Sequence, residues 1–191
     1  MKIGLFFGSF NPIHIGHLAI ANYMIEFTDL SEIWLIVSPQ NPFKSKESLV
    51  NEYERIKMVE LAVGNDYKIK PSDIEFRLPK PSYTIDTLTY LAEKHPTKDF
   101  VILIGSDNLT YFHKWKNNEQ ILDRYKVYVY PRPGHGLGVY ENHKNVQLVQ
   151  APQMEISSSF IRQSIKEGKD IRFFLHQPVY DYIAQMHFYE K

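Results

Sequence analysis

The chain has 191 residues, of which 43% are hydrophobic and 14% aromatic, and it contains no cysteine. This composition fits one sizeable globular domain, and the lack of cysteine excludes a disulfide framework and a thiolate metal site. Lys plus Arg equals Asp plus Glu at 22 each, so we expect no nucleic-acid partner. No apolar run approaches the ~18 residues of a membrane span, and the first residues do not resemble a signal peptide, so we expect a cytoplasmic protein with no membrane partner.

Short apolar runs alternate with stretches of helical periodicity along the chain. The apolar runs predict buried strands at residues 3–7, 32–37, 100–104, 125–130 and 146–149, with a further extended segment at 67–78. The periodic stretches predict helices at residues 15–27, 53–63, 83–94, 157–167 and 178–187. This alternation predicts an α/β fold, a Rossmann-like doubly wound parallel sheet with helices on both faces and C-terminal helices. Such a sheet binds its ligands at the carboxyl ends of the strands.

The segment from Gly8 to His17 joins the first predicted strand to the first predicted helix, and it reads Gly-Ser-Phe-Asn-Pro-Ile-His-Ile-Gly-His. An anion can bind where a strand is followed by a glycine turn and the start of a helix. The backbone N–H groups of the turn and the positive end of the helix dipole both face the anion there. His14 and His17 are three residues apart, so both can lie on one face of the first turn and donate to phosphate oxygens. Either histidine alone would more often be structural, and a zinc site would need a third ligand that the sequence does not offer.

Residues 156–162, Ile-Ser-Ser-Ser-Phe-Ile-Arg, open a later predicted helix. Serine is a favoured N-cap, and its hydroxyl together with free N–H groups can hold a phosphate. Arg162 follows Ser159 by three residues, where its guanidinium can reach the same phosphate. Taken alone, the segment is more typical of an ordinary capped helix with a surface arginine.

The two segments together resemble the G-[ST]-F-[DN]-P-x-H-x-G-H and I-S-[ST]-[ST]-x-[IV]-R motifs of the nucleotidylyltransferase superfamily, in the expected order. The resemblance implies that both histidines bind the triphosphate and stabilise the pentacoordinate transition state, while the serine run and Arg162 hold the β- and γ-phosphates. Ser9 and Asn11 stand where many bacterial members have Thr and Asp, and both retain a side-chain oxygen. The ATP-binding residues implied by the resemblance are Gly8, Ser9, Phe10, His14, His17, Gly105, Asp107, Ser157, Ser158, Ser159 and Arg162.

Residues 81–88, residues 105–108 and Trp115 resemble the bacterial nicotinate-mononucleotide adenylyltransferases, and the resemblance spans residues 2–182. In that family the Ser-Tyr-Thr segment and the tryptophan form the pocket for the pyridine ring and its carboxylate. Trp115 can stack on such a ring, and helix-start N–H groups with Thr84 can hold the carboxylate, although each would also suit a core aromatic and a helix cap. The acceptor-binding residues implied are Ser9, Phe10, Asn11, Lys44, Tyr83, Thr84, Thr87, Trp115 and Arg132.

These motifs predict one nucleotidylyltransferase domain over residues 1–191 that converts nicotinate mononucleotide and ATP to nicotinate adenine dinucleotide and pyrophosphate in NAD biosynthesis. The acceptor phosphate is already anionic, so no general base is needed, and His14, His17, Lys44 and Arg162 would neutralise the developing charge. Mg²⁺ would arrive with ATP, and we predict no protein metal ligands. A nicotinamide-mononucleotide or other superfamily adenylyltransferase, a non-catalytic nucleotide-binding regulator and a homo-oligomer remain open at this point.

Overall fold

A computed structural model of the chain describes residues 1–40 and 49–190. The strands in this part of the chain are β1 (Lys2–Gly8), β2 (Glu32–Val37), β3 (Ile69–Ser72), β4 (Asp99–Gly105), β5 (Lys126–Tyr130) and β6 (Val146–Leu148). They form one sheet in the order β3-β2-β1-β4-β5-β6, and every neighbouring pair is parallel. The predicted doubly wound parallel sheet is confirmed.

The α-helices in the described part of the chain are α1 (Ile15–Phe27), α2 (Glu52–Val63), α3 (Thr84–Lys94), α4 (Ser106–Leu109), α5 (Asn118–Arg124), α6 (Ser158–Lys166) and α7 (Gln177–Met186). Five of them were predicted to within one residue at each end. The sequence did not predict α4 and α5, because each spans about two turns or less and buries only two residues, Ser106 and Leu109 in α4 and Ile121 and Leu122 in α5, in place of a periodic apolar stripe. None of the helices in the described part of the chain has the length and apolar character that crossing a bilayer requires.

Two apolar layers cover the two faces of the sheet, and β4 shows how the sequence divides between them. Val101 and Leu103 belong to the cluster formed with α1, α2, α6 and α7, whereas Phe100, Ile102 and Ile104 belong to the cluster formed with α3 and α5. Successive side chains of a strand point to opposite faces, so a continuous apolar run supplies both layers.

The predicted extended segment at residues 67–78 is a strand only from Ile69 to Ser72. β3 lies at the edge of the sheet, where Pro71 is tolerated because no neighbouring strand needs its missing N–H. The chain then turns into a 3-10 helix at Ile74–Arg77, which buries Ile74 and Glu75. The prediction of extended structure through Leu78 is therefore wrong, and the turn places an acidic side chain inside the molecule.

The strand order reverses between β1 and β4, which are neighbours in the sheet although about 90 residues separate them in sequence. The connection after β1 leads to β2 on one side, and the connection after β4 leads to β5 on the other side. A crevice therefore opens beyond the carboxyl ends of β1 and β4. Gly8 ends β1 and Gly105 ends β4, so both predicted glycine turns lie beside this crevice.

Candidate active site

The turn between β1 and α1 depends on a close contact between Gly8 and Phe10. Phe10 has a φ of 44°, in the left-handed region that a bulky side chain rarely adopts, and its ring is 1% exposed. A Cβ atom added at Gly8 would lie 2.8 Å from that ring. Glycine is therefore required at position 8, and the buried ring holds the turn in place.

His14 and His17 lie together at the start of α1, as predicted. Their ring centroids are 3.7 Å apart at an interplanar angle of 32°. The backbone N–H of His14 donates to Nδ1 of His17 over 3.2 Å, so a neutral His17 ring carries its proton on Nε2. Nε2–H is therefore the donor group of the neutral His17 ring.

His14 is almost completely buried, and its charge state follows from this burial. Desolvation, with a smaller contribution from the nearby Arg132 guanidinium, lowers the pKa of His14 from 6.5 to about 3. The ring is therefore neutral near neutral pH in the free protein. Gly16 leaves room for it, because a Cβ atom at that position would lie 3.0 Å from Nδ1 of His14.

Three buried side-chain atoms in the described part of the chain have no hydrogen-bond partner, and they belong to residues of one region. They are Nδ1 of His14, Oδ1 of Asp107 and Nε of Arg132. Nε of Arg132 lies 3.9 Å from Oδ1 of Asp107, which is too far for a hydrogen bond. The positive charge of Arg132 is also close enough to His14 to lower the pKa of that histidine. Buried polar atoms without partners are rare in folded proteins, so this group is a strong candidate for ligand contacts.

The first turn of α6 is hydrogen-bonded to the loop that carries the histidines. Oγ of Ser158 donates to the carbonyl of Pro12 over 2.9 Å, and Nη1 of Arg162 donates to the carbonyl of Asn11 over 2.9 Å. Nη2 of Arg162 also donates to Oγ of Ser159, and Oγ of Ser157 caps the helix by accepting from the Phe160 N–H. Two segments that lie about 140 residues apart in sequence therefore form one site.

A cleft of about 440 Å³ opens at the carboxyl ends of the central strands. Gly8 and Ser9 from the end of β1, and Gly105 from the end of β4, form its floor. Tyr83 and Thr84, at the start of α3, form one wall. The remaining lining residues are Phe7, Ser38, Glu75, Ser82, Leu103, Ile104, Asn108, Tyr111, Lys114, Trp115, Lys116 and Tyr130.

Aromatic rings and lysines form the outer rim of this cleft. Trp115 packs on the buried Phe112 with ring centroids 4.8 Å apart, which leaves part of the indole at the cleft. Nζ of Lys116 lies 4.8 Å from the centre of the Tyr83 ring and donates to the Asp86 carboxylate. A flat, anionic ligand fits such a rim, because rings can stack on it and lysines attract its charge.

The structure places most of the predicted residues in two groups. Gly8, Ser9, Gly105, Tyr83, Thr84 and Trp115 line the cleft. His14, His17 and Asp107, together with the α6 residues Ser157, Ser158, Ser159 and Arg162, lie in or next to the histidine loop and the end of β4. Lys44 lies outside the described residues.

Four acceptor-binding predictions need correction. Thr87 is fully buried and donates to Glu75, so it offers no surface to a ligand. Oδ1 of Asn11 accepts from the Val50 N–H and the Tyr189 hydroxyl, and the side chain is 4% exposed. Phe10 is 1% exposed, so it offers almost no surface to a nucleotide. Arg132 does not line the cleft but lies with Asp107 and near His14, on the side predicted for ATP.

The sequence did not identify two buried charged residues next to the site. Arg55 is completely buried and donates to the carbonyls of Ser9, Ser38, Pro39 and Val50. Glu75 is 2% exposed and accepts from the hydroxyls of Ser82 and Thr87. Arg55 did carry a signal, because it precedes Met58, Val59 and Ala62 at the spacing of one helical face.

The donor set for a metal ion is small in this part of the chain. No group of three or more His, Asp or Glu side chains that could share a metal ion occurs among the described residues. The unpartnered Oδ1 of Asp107 could supply one oxygen ligand. This fits Mg²⁺ held mainly by substrate phosphates and water, as is usual for that ion.

Comparison with protein families gives the class of the chain. It matches the cytidylyltransferase-like family over residues 5–164. The solved structure of Plasmodium falciparum nicotinic acid mononucleotide adenylyltransferase complexed with NaAD has the same fold, with a TM-score of 0.85 at 23% identity over 99% of this chain and 97% of that chain. The fold and the site thus define a nucleotidyltransferase of the cytidylyltransferase-like class.

Closer relatives identify the family within this class. A probable nicotinate-nucleotide adenylyltransferase of Cytophaga hutchinsonii is 55% identical, over 99% of this chain and 98% of the relative. Another, from Christiangramia forsetii, is 52% identical over 99% and 98% of the two chains. The chain belongs to the nicotinate-nucleotide adenylyltransferase family, as the sequence motifs predicted, and it is an enzyme.

Proposed function

We propose that the enzyme transfers the adenylyl group of ATP to nicotinate mononucleotide, which forms nicotinate adenine dinucleotide and releases pyrophosphate in NAD biosynthesis. The observation that carries this proposal is the juxtaposition of the histidine loop and the ring-lined cleft at the reversal point between β1 and β4. Ser9 directly follows β1 and belongs both to the histidine loop and to the lining of the cleft. Substrates bound in these two regions would therefore meet beside it. The names of the relatives support the choice of acceptor.

ATP would occupy the side formed by the histidine loop, the first turn of α6 and Asp107. His14 and His17 would bind the triphosphate, and Arg162 with the serines of α6 would hold its β- and γ-phosphates. Gly105 and Asp107 would contact the adenosine. Arg132, which lies beside Asp107, would contact ATP rather than the acceptor. A ligand here could satisfy the unpartnered atoms of His14, Asp107 and Arg132.

Nicotinate mononucleotide would occupy the cleft, with its ring against Trp115 and its carboxylate at the start of α3. Tyr83 and Thr84 line that end of the cleft, where the helix dipole favours an anion. Lys116 adds positive charge at the same end. Lys44, which follows β2 in sequence, is proposed to meet the phosphates.

The reaction needs no proton acceptor. An oxygen of the acceptor phosphate forms a bond to the α-phosphorus of ATP, the bond from that phosphorus to the bridging oxygen of the β-phosphate breaks, and pyrophosphate leaves with the electron pair. Nε2–H of His17 would donate to the charge that builds on the α-phosphate, and Arg162 would stabilise the leaving group. A bound Mg²⁺ would neutralise phosphate charge.

We further propose that residues 1–191 form a single nucleotidyltransferase domain that acts in the cytoplasm without a nucleic-acid or membrane partner. One apolar cluster extends from Phe6 in β1 to Ile183 in α7, which supports a single domain. Assembly as a homo-oligomer is compatible with this proposal.

A pyrophosphate-release assay with ATP and a panel of phosphorylated acceptors tests the function directly. We expect release with nicotinate mononucleotide, a lower rate with the corresponding amide and none with phosphopantetheine. In the same assay, Trp115→Ala should raise the KM for the acceptor more than the KM for ATP, because only the acceptor is proposed to stack on the indole. ATP binding without pyrophosphate release for any acceptor would instead indicate a regulator that only binds nucleotides.

A further inference from the structure

Glu75 is an acidic residue in the wall of a cleft proposed to hold an anion, and this position requires an explanation. The side chain is 2% exposed, so it presents almost no surface to a ligand. The pKa of this carboxyl is raised, because the effect of burial is larger than the opposing effect of the hydrogen bonds from Thr87, Ser82 and Ser38. A direct contact with the acceptor is therefore not its role.

Two of the hydrogen bonds of Glu75 join three separate segments. Glu75 lies in the 3-10 helix that follows β3, Ser82 lies in the turn before α3, and Thr87 lies in the first turns of α3. Oγ of Ser82 donates to Oε2 over 2.8 Å, and Oγ1 of Thr87 donates to Oε1 over 2.8 Å. Both carboxyl oxygens are thus used, one on each side of the start of α3.

The segment held between these two bonds contains the residues that face the cleft. Ser82 and Thr87 bracket Tyr83 and Thr84, which form the cleft wall. The carbonyl of Tyr83 accepts from the N–H groups of Asp86 and Thr87, so Tyr83 is the N-cap that begins the helix. A rotation of this turn would move the first N–H groups of α3 and the Tyr83 ring together.

We propose that Glu75 is a positioning residue for the acceptor, because its hydrogen bonds with the Ser82 and Thr87 hydroxyls fix the start of α3 in the orientation that receives the acceptor's carboxylate. This inference rests on the proposed function, and it adds a residue to the recognition of the acceptor that touches neither substrate. Thr87, predicted as an acceptor contact, acts in this network through Glu75.

The test uses a matched pair of substitutions on one helix in the full-length enzyme. Thr87→Val removes the hydroxyl that donates to Glu75 and that also lies 3.5 Å from the Tyr83 carbonyl, and it retains the side-chain shape. Thr89→Val makes the same change two residues later, where the hydroxyl donates to the Ile85 carbonyl and has no contact with Glu75. We expect Thr87→Val to raise the KM for nicotinate mononucleotide about tenfold, with kcat and the KM for ATP within about twofold of the wild type. Thr89→Val should match the wild type.

Substitution of Glu75 itself supplies the conservative comparison. Glu75→Gln retains the shape and one accepting oxygen, so its acceptor KM should lie between those of the wild type and Glu75→Ala. If Glu75→Ala is unfolded at the assay temperature, Ser82→Ala and Thr87→Val decide the question. Equal changes in the KM values of both substrates, or equal behaviour of Thr87→Val and Thr89→Val, would overturn the positioning role.

Failure of the proposed function would give a different result. In that case the wild type would neither release pyrophosphate with nicotinate mononucleotide nor bind it in calorimetry, and both proposals would be rejected together. If the wild type is active and the Glu75 and Thr87 variants retain its acceptor KM, only the role of Glu75 is rejected.

Discussion

His17 shows how one backbone contact can define the chemical role of a side chain. Its Nδ1 accepts from the His14 N–H, so the neutral ring has its proton on Nε2. We expect His17→Ala to lower kcat by ~10²-fold, the effect of losing one transition-state donor, with a smaller change in the KM for ATP. Initial rates of pyrophosphate release measure this.

His143→Ala is the control for the His17 variant, because His143 precedes β6 at the opposite end of the sheet from the site. Near-normal turnover of His17→Ala would contradict the assignment of this histidine to the reaction.

The burial of His14 has a consequence for stability. Its pKa is about 3 in the folded protein, against 6.5 when exposed to water. As the pH falls below about 6.5, His14 binds a proton in the unfolded chain, whereas in the folded chain it binds one only near pH 3. The free energy of unfolding therefore decreases as the pH falls from about 6.5 to about 3. At about pH 5 this residue alone should lower the free energy of unfolding by about 2 kcal/mol relative to neutral pH.

Urea denaturation of the wild type and of His14→Gln at both pH values measures this effect. Glutamine does not titrate, so the variant should lose less stability than the wild type on acidification. The same pH dependence in both proteins would show that His14 is not the group responsible.

At the scale of single elements, the start of α6 is held by its cap. Oγ of Ser157 accepts from the Phe160 N–H over 3.1 Å. Ser157→Ala should lower the free energy of unfolding by about 1 kcal/mol, whereas Ser157→Gly should lower it by only a few tenths. Urea denaturation with a common m-value distinguishes the two variants, and an alanine variant as stable as the wild type would contradict the capping role.

Most elements could be predicted because their cause is local. The apolar run of β4 and the periodic stripe of α3 are visible in a short window of sequence. The 3-10 helix at Ile74–Arg77 was missed because β3 ends early, at the edge of the sheet, and tertiary packing sets the path of the chain from there. To identify this 3-10 helix one must know how β3 pairs with β2, and no local sequence pattern encodes that pairing.

At the scale of the whole molecule, Arg55 joins the ends of separate elements. Its guanidinium, inside the protein, bonds the carbonyls of Ser9 after β1, of Ser38 and Pro39 after β2, and of Val50 before α2. Arg55→Met would leave these carbonyls without donors, so we expect a loss of about 3 kcal/mol in the free energy of unfolding.

Lys57→Met on the same helix is the matched control for Arg55→Met. Lys57 is exposed and pairs only at 3.7 Å with Glu60 in the described structure, so this change should alter stability by less than about 0.5 kcal/mol. Equal stability of the two variants would contradict a structural role for the buried guanidinium.

The candidate site was predictable where its residues form a contiguous motif. The loop from Gly8 to His17 and the first turn of α6 were found in this way, and the fold brings them together. The directions of the Asn11, Thr87 and Arg132 side chains were not predictable, because each depends on a partner distant in sequence. Glu75 was missed for the same reason, since nothing near it in sequence indicates that a hydroxyl on α3 will bind it.

The hydrogen bonds between α6 and the histidine loop also bear on how the enzyme is made. Synthesis delivers the strands in order, and β6 ends at Leu148, but Ser158 and Arg162 follow it and Tyr189 reaches Asn11 from near the end of the chain. In the order of synthesis, the six strands therefore precede the α6 residues that are proposed to bind phosphate. A product that ends after β6 would hold the six strands but would lack the α6 residues proposed to bind phosphate, together with the α6 and α7 side chains that pack on one face of the sheet.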